Sequence, residues 1–226
     1  EFAKHRKHEF NTFASSTPAV DADAVYSIWG TPEATLLVAH DHSGKELWKR
    51  DLGTFNCNHA CAISPIVVGN VVIVAKDAEQ RLAPDGVKPE SFVIGLDRRT
   101  GAVRWKRERT TSDQATSFAT PFLYQPEGGG APEVIVSSQA HGLTSLNPET
   151  GALNWEISDL FKLRTVGSPI LAGGLLIQTS GDGGGSRRTV AVRPGNKAKQ
   201  MAARLEYDLI RDIPYVPTPL ALNGRV

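Results

Sequence analysis

One short phrase occurs three times in this chain and limits its fold more than any bulk property: Asp41-His42-Ser43-Gly44-Lys45-Glu46-Leu47-Trp48, Asp97-Arg98-Arg99-Thr100-Gly101-Ala102-Val103-Arg104-Trp105 and Asn147-Pro148-Glu149-Thr150-Gly151-Ala152-Leu153-Asn154-Trp155. Each copy follows a run of β-formers and sets a turn-forming Asp or Asn ahead of a Gly, with a Trp four residues beyond that Gly. The phrase reads as strand, tight turn, strand. A second marker keeps the same beat, a hydroxyl residue followed by Pro, at Thr17-Pro18, Ser64-Pro65, Thr120-Pro121, Ser168-Pro169 and Thr218-Pro219. The period is about 50 residues, within the range of propeller blades. Proline donates nothing to a ladder and belongs at a strand's first residue or at an edge, so each marker opens a repeat's first strand.

The second repeat shows the whole unit: Pro65 to Val68, a Gly69-Asn70 turn, Val71 to Ala75, a loop, Phe92 to Leu96, the Asp-to-Gly turn, and Val103 to Lys106. Four antiparallel strands repeated at this spacing, with no helical periodicity between them, predict an all-β chain, a β-propeller of four-stranded antiparallel blades. The repeats run approximately over 16–53, 63–109, 119–158 and 167–208, and a fifth starts at 217–226. About four blades and one strand predict a single segment, 1–226, of a seven- or eight-bladed ring whose remaining blades come from flanking sequence.

Composition narrows the partners. The 226 residues are 40% hydrophobic, enough for a large core. No stretch approaches the run of about 18 apolar residues that a membrane helix needs, so no transmembrane segment is predicted. A formal charge of +1 gives no global field to draw nucleic acid. The basic cluster Lys4-His5-Arg6-Lys7-His8 has no interleaved aromatic to stack bases and reads as a solvated edge. Two cysteines are too few to form a disulfide scaffold.

The phrases Leu96-Asp97-x-x-Thr100-Gly101-x-x-x-Trp105 and Leu146-Asn147-x-x-Thr150-Gly151-x-x-x-Trp155 resemble the tryptophan-docking repeat of the pyrroloquinoline-quinone-like β-propeller family. The resemblance covers residues 17 to 207 and weakens in the fourth repeat, where Val192-Arg193-Pro194-Gly195-Asn196 keeps the turn, no Trp follows, and Tyr207 or Leu205 fills its slot. The family holds quinoprotein alcohol dehydrogenases, a propeller lipoprotein of outer-membrane assembly and many uncharacterised bacterial envelope proteins, and this chain is most similar to the last group. The resemblance implies a periplasmic or otherwise exported location. It also implies that Trp48, Trp105 and Trp155 are structural, each lying flat between its own blade and the next.

In a propeller the inner strands converge on a channel, so the side chains ahead of each hydroxyl-Pro marker are candidate site residues. These segments hold Asn11 and Thr12, Asn58 and His59, Thr116 and Ser117, Arg164 and Thr165, and Tyr215, while the loops after the second strands add Asp77, His141 and Asp182. With Trp29 at the end of a second strand, the predicted ligand-binding set is Asn11, Trp29, His59, Ser117, His141, Arg164, Asp182 and Tyr215. This polar rim suits a protein partner or a small polar ligand and shows no triad order or paired carboxylates. Cys57-Asn58-His59-Ala60-Cys61 is a local oddity. In an extended segment Cys57, His59 and Cys61 would share one face and offer a metal two thiols and an imidazole. Small buried residues are the other reading, since a closed zinc site needs a fourth ligand. A Cys57–Cys61 disulfide would need the segment to bend.

Gly181 to Arg188 lacks the Lys-Ser/Thr ending of a phosphate cradle and reads as a hairpin loop, and Pro126 to Pro132 as a solvated connection. The longest loop, Asp77 to Glu90, is a candidate contact surface. The resulting expectation is a non-catalytic binding or scaffold propeller of the bacterial cell envelope, with no cofactor. The alternative is a dehydrogenase-like protein that holds pyrroloquinoline quinone over calcium. This sequence lacks the adjacent cysteines such dehydrogenases commonly carry.

Overall fold

The computed structural model describes residues 8–9, 11–12, 15–31, 33–57, 59–83, 85–111, 116–127, 129–211, 213–223 and 225–226. Lys4 to Lys7 of the basic cluster, Asn58 of the rim and Pro84 of the long loop lie outside the described residues. Among the described residues, sixteen strands form four antiparallel sheets of four. Sheet one is β1 (Ala19–Val20), β2 (Ala24–Gly30), β3 (Thr35–Asp41) and β4 (Glu46–Asp51). Sheet two is β5 (Ile66–Val68), β6 (Val71–Lys76), β7 (Ser91–Asp97) and β8 (Val103–Arg109). Sheet three is β9 (Phe122–Tyr124), β10 (Glu133–Ser138), β11 (Gly142–Leu146) and β12 (Leu153–Ile157). Sheet four is β13 (Ile170–Ala172), β14 (Leu175–Asp182), β15 (Gly185–Arg193) and β16 (Arg204–Leu209). In every sheet the strands lie in chain order, each paired with its neighbour. The chain divides into two compact units, Glu1–Thr116 with sheets one and two and Ser117–Val226 with sheets three and four.

Both sequence markers have a visible cause. Each of the first four hydroxyl-Pro pairs stands directly before a first strand, and the marker hydroxyl has a partner at the two places where the bond is described, Ser64 and Thr218. The Thr17 amide donates to Ser64 Oγ at 2.9 Å, and the Ser168 amide to Thr218 Oγ1 at 3.0 Å. In the turns after the third strands, Asp41, Asp97 and Asn147 each accept two backbone amides on one side-chain oxygen, at 2.9–3.1 Å. A short acceptor holding the backbone in this way is why Asp or Asn stands there. The Gly that follows takes φ of 67° at Gly101 and 68° at Gly151, a region costly for any side chain.

A register shift recurs beside the turn after every third strand, at Ala39/His40, Gly95/Leu96, Ser145/Leu146 and, in sheet four, Ala191/Val192. It sets Trp48, Trp105 and Trp155 across from Ala39, Gly95 and Ser145, and it sets Tyr207 across from Ala191. Tyr207, not Leu205, therefore stands at the tryptophan register of the fourth repeat. Small residues face these rings because the indole lies over them: a Cβ on Gly95 would stand 2.3 Å from Trp105.

In the first unit Trp48, 8% exposed, covers Gly101 of sheet two, where a Cβ would meet the ring at 2.6 Å. Its indole N–H donates to the Arg98 carbonyl at 3.0 Å, and Arg50 donates twice to the Gly101 carbonyl, at 3.0 and 2.8 Å. Arg98 pairs with Asp21 at 2.9 Å and Asp23 at 2.7 Å, joining the first turn of sheet one to the third turn of sheet two. Burial pushes the hydroxyl of Tyr26 up to about 12, helped by the carboxylate of Asp21 that accepts its proton. In the second unit Trp155 covers Gly195 in the same way, within a core of Tyr124, Ile135, Leu143, Leu160, Phe161, Leu176, Val190 and Val192.

Within 217–226, read from sequence as the start of a fifth repeat, the pairing among the described residues is a bridge between Leu222 and Arg225.

Candidate functional site

The residues ahead of each marker belong to connectors, the segments that run from one sheet's fourth strand to the next first strand. Each connector passes over the end of the preceding sheet's second strand. Gly30 at the end of β2 abuts Cys61, so closely that a Cβ there would stand 2.5 Å from the Cys61 Cβ. Glu79 just beyond β6 accepts the Thr116 hydroxyl at 2.6 Å. Ser137 of β10 meets Thr165 at 3.2 Å between hydroxyls, and Thr179 of β14 donates to the Tyr215 carbonyl at 3.2 Å. These crossings gather the polar groups of each unit at the ends of its second strands.

At the edge of sheet one the structure brings Asn11 and His59 together. The Asn11 amide donates to the His59 carbonyl, the Ser15 hydroxyl donates to Asn11 Oδ1 at 2.6 Å, and the imidazoles of His8 and His59 stack at 4.8 Å. Trp29, 41% exposed, precedes Gly30 at the same edge. The Cys57–Cys61 segment is not extended: Ala60 takes φ of 61° and Cys57 Sγ donates to the Ala60 carbonyl. This turn removes the alternation that would have put Cys57, His59 and Cys61 on one face. Both cysteines are free thiols, buried at 5% and 6% exposure, and burial pushes Cys61 up to about 11. Among the described residues no three His, Cys, Asp or Glu side chains are placed to hold a metal ion.

Sheet two ties its connectors with charge. Lys76, 1% exposed, donates to the Leu52 and Thr54 carbonyls at 2.7 and 2.9 Å and lies 4.8 Å from the centre of the Phe92 ring. Burial pulls its ammonium down to about 8. Asp77 pairs with Arg109 at 3.1 Å, both side chains being nearly sealed from water. Glu79, its side chain fully buried, takes Arg81 at 3.0 Å on one oxygen and the amide and hydroxyl of Thr116 on the other. The loop from Asp77 to Glu90 therefore starts as a buried anchor, continues through a short 3-10 turn at Gln80–Leu82, and opens to solvent beyond it. Carboxylates committed to guanidinium and hydroxyl partners do not fit the ligand set that calcium beneath a quinone would require.

The second unit holds Ser117, His141, Arg164, Asp182 and Tyr215. Ser117 Oγ accepts the Gln139 amide at 3.2 Å in the turn that leads to His141, whose Nδ1 lies 3.3 Å from Glu156. The Arg164 carbonyl accepts the Gly181 amide at 3.1 Å, and Asp182 caps the hairpin by accepting the Gly184 amide at 2.9 Å. The Tyr215 ring packs on Gly181, where a Cβ would meet it at 3.0 Å, and the Arg187 guanidinium sits 5.7 Å from the ring centre. A cavity of about 480 Å³ opens beside this pair, lined by Gly185, Ser186, Arg187, Ile210, Ile213 and Pro214. The sequence of Gly181 to Arg188 predicts a hairpin loop and no more. The strand pairing of Asp182 with Gly185 makes it one, and the usable clue to the cavity was the apolar run at Ile210 and Ile213, too far along the chain to be linked to Arg187.

Four four-stranded antiparallel sheets in chain order, each with a turn-glycine and aromatic docking register, define a propeller of the pyrroloquinoline-quinone-like repeat class. The chain belongs to the family described as outer membrane protein assembly factor BamB, whose model matches residues 5–206. Among solved structures, BamB from Moraxella catarrhalis is similar with a TM-score of 0.52 and 18% identity, over 91% of this chain and 51% of that one. Quinohemoprotein alcohol dehydrogenase ADHIIG from Pseudomonas putida HK5 gives 0.54 and 15%, over 90% and 35%. Quinohemoprotein alcohol dehydrogenase from Comamonas testosteroni gives 0.52 and 12%, over 91% and 38%. The chain thus spans about half the length of the first and less of the other two. No curated protein matches the sequence. Among the described residues no helix is long and apolar enough to cross a membrane.

Proposed function

We propose that this chain is a binding and scaffolding propeller segment of the bacterial cell envelope, on its periplasmic side, which receives a protein partner at the connector ends of its sheets. The match of residues 5–206 to the outer membrane protein assembly factor family carries this reading. The site chemistry supports it. Asn11 and Ser117, both predicted for the rim, hold connectors in place, and a rigidly held edge suits recognition by shape and hydrogen bonding. Two places offer aromatic and cationic groups to a partner: the edge of sheet one, where Trp29 is 41% exposed, and the cavity that Arg187 lines, with the Tyr215 ring beside that guanidinium. A half-exposed Trp and an Arg beside a Tyr are residue types that carry binding energy at interfaces.

The test has two arms. A photo-crosslinking residue in place of Trp29 or Arg187, in the chain exported to the periplasm of a Gram-negative cell, is expected to trap a component of the outer-membrane assembly apparatus, and the same residue in place of Arg99 is not. Calorimetric titration of pyrroloquinoline quinone with calcium is expected to show no saturable heat. One-to-one quinone binding would overturn the reading in favour of a dehydrogenase-like protein.

A further inference from the structure

The turn that carries the chain's two cysteines is bent in the way a bond between them requires. Extended backbone would hold the Cα atoms of residues 57 and 61 about 13 Å apart, whereas a disulfide joins Cα atoms about 4.4–6.8 Å apart. Ala60 breaks the extension with φ of 61°, and the Cys57 sulfur comes to 2.8 Å from the Ala60 carbonyl oxygen. That oxygen belongs to the trans peptide that joins Ala60 to Cys61, where it stands roughly 2.8 Å from the next Cα. The Cys57 sulfur is therefore within roughly 5.6 Å of the Cys61 Cα. Side-chain rotation closes that gap to an S–S bond of about 2.05 Å.

Both ends of the turn are already anchored. The Asn56 carbonyl accepts the Glu79 amide at 2.8 Å, and the Cys61 carbonyl accepts the Ser16 hydroxyl at 3.1 Å. Cys61 is also wedged against Gly30, where a Cβ would stand 3.5 Å from its sulfur. Closing a bond from this arrangement orders little that is not ordered already. The sequence holds 2 cysteines, so an internal disulfide has a single pairing.

We propose that Cys57 and Cys61 are a dithiol site that an oxidant closes into an intramolecular disulfide, locking the edge of sheet one. The oxidant is itself a disulfide, that of glutathione disulfide or of a thiol oxidase, and only its supply in the cell rests on the periplasmic reading above. One thiolate of the pair attacks the oxidant's S–S bond and expels a thiolate; the second cysteine then attacks the mixed disulfide and expels the other. The pair loses two electrons and two protons, and the oxidant becomes two thiols. Exchange takes place before the turn is sealed, because the folded chain leaves the two cysteines 5% and 6% exposed. The ring so closed has His59 as its middle residue. The bond thereby fixes the carbonyl that holds Asn11 and the imidazole stacked on His8, at the edge that also carries Trp29.

The test unfolds the chain with reductant, refolds it in a glutathione buffer, and alkylates it with iodoacetamide in urea. After tryptic digestion the peptide Asp51–Lys76, which contains both cysteines, is expected unalkylated and about 2 Da below its dithiol mass. Without reductant the chain is expected to run as a monomer. The equilibrium constant for closure by glutathione disulfide is expected to be about tenfold or more larger in buffer than in urea, because only the folded chain holds the turn preformed. A peptide alkylated at both cysteines after refolding in excess glutathione disulfide overturns the proposal. So do bonds formed only between chains, and so does a constant no larger in buffer than in urea, which would make the bond a matter of spacing alone. None of these outcomes depends on where in the cell the chain resides.

Discussion

Sheet two fixes its connectors with an ammonium, two carboxylates and two guanidinium groups, while sheet four fixes its own with an amide and a hydroxyl. In the first, Lys76, Asp77 and Glu79 reach Leu52, Thr54, Arg109 and Thr116. In the second, Gln178 donates to the Gly167 carbonyl at 2.8 Å and Thr179 to that of Tyr215. The path of the chain is the same in both. The crossing over the second strand is thus a property of the repeat, and the groups that secure it are free to vary. What varies with them is the sensitivity of each sheet to charge: a buried ion that loses its partner costs far more than a buried hydroxyl that does.

The widest separation between the two sheets should come from Arg109→Ala, which leaves Asp77 buried without its guanidinium. A loss of about 3–5 kcal/mol is expected by urea denaturation, and a loss below 1 would mean that the pair is not sealed from water. Next is Lys76. Its folded value, about 8, lies below the ordinary 10.5, so between these limits the unfolded chain holds the extra proton and stability rises with pH. The rise should amount to no more than roughly 3 kcal/mol and should vanish in Lys76→Met. Cys61, pushed up to about 11 from 9.0, acts in the opposite sense above pH 9, so the difference between wild type and variant is the quantity to read.

Glu79→Gln keeps the shape but weakens the hold on Arg81 and Thr116, and should cost about 1–3 kcal/mol. On the neutral side, Thr179→Val should cost only about 1 kcal/mol, with a pH profile of stability parallel to wild type. A Thr179 variant as damaging as Arg109→Ala would erase the distinction between the two sheets.

The fold was legible because its markers are local. A Pro before each first strand, an Asx side chain folding back on its own turn and a Trp at fixed distance from a Gly all act within about ten residues, and the sheets follow them strand by strand. The connectors were not legible in the same way. Glu79 and Thr116 are 37 residues apart and share no periodic signal. The choice between Leu205 and Tyr207 could not be made because an irregularity in register sits between them. The Cys57 to Cys61 spacing pointed to a shared face on the assumption of an extended chain, and one left-handed residue, Ala60, broke it.

That same left-handed turn gives the chain a clock. Cys57 and Cys61 are tucked beneath the edge of sheet one, and burial holds the proton on Cys61, so a thiol reagent at neutral pH finds nothing to attack while the edge is closed. The rate of labelling then counts openings. Labelling faster than global unfolding would mean that this edge frays by itself, and matched rates would mean that it comes apart only with the rest of the molecule.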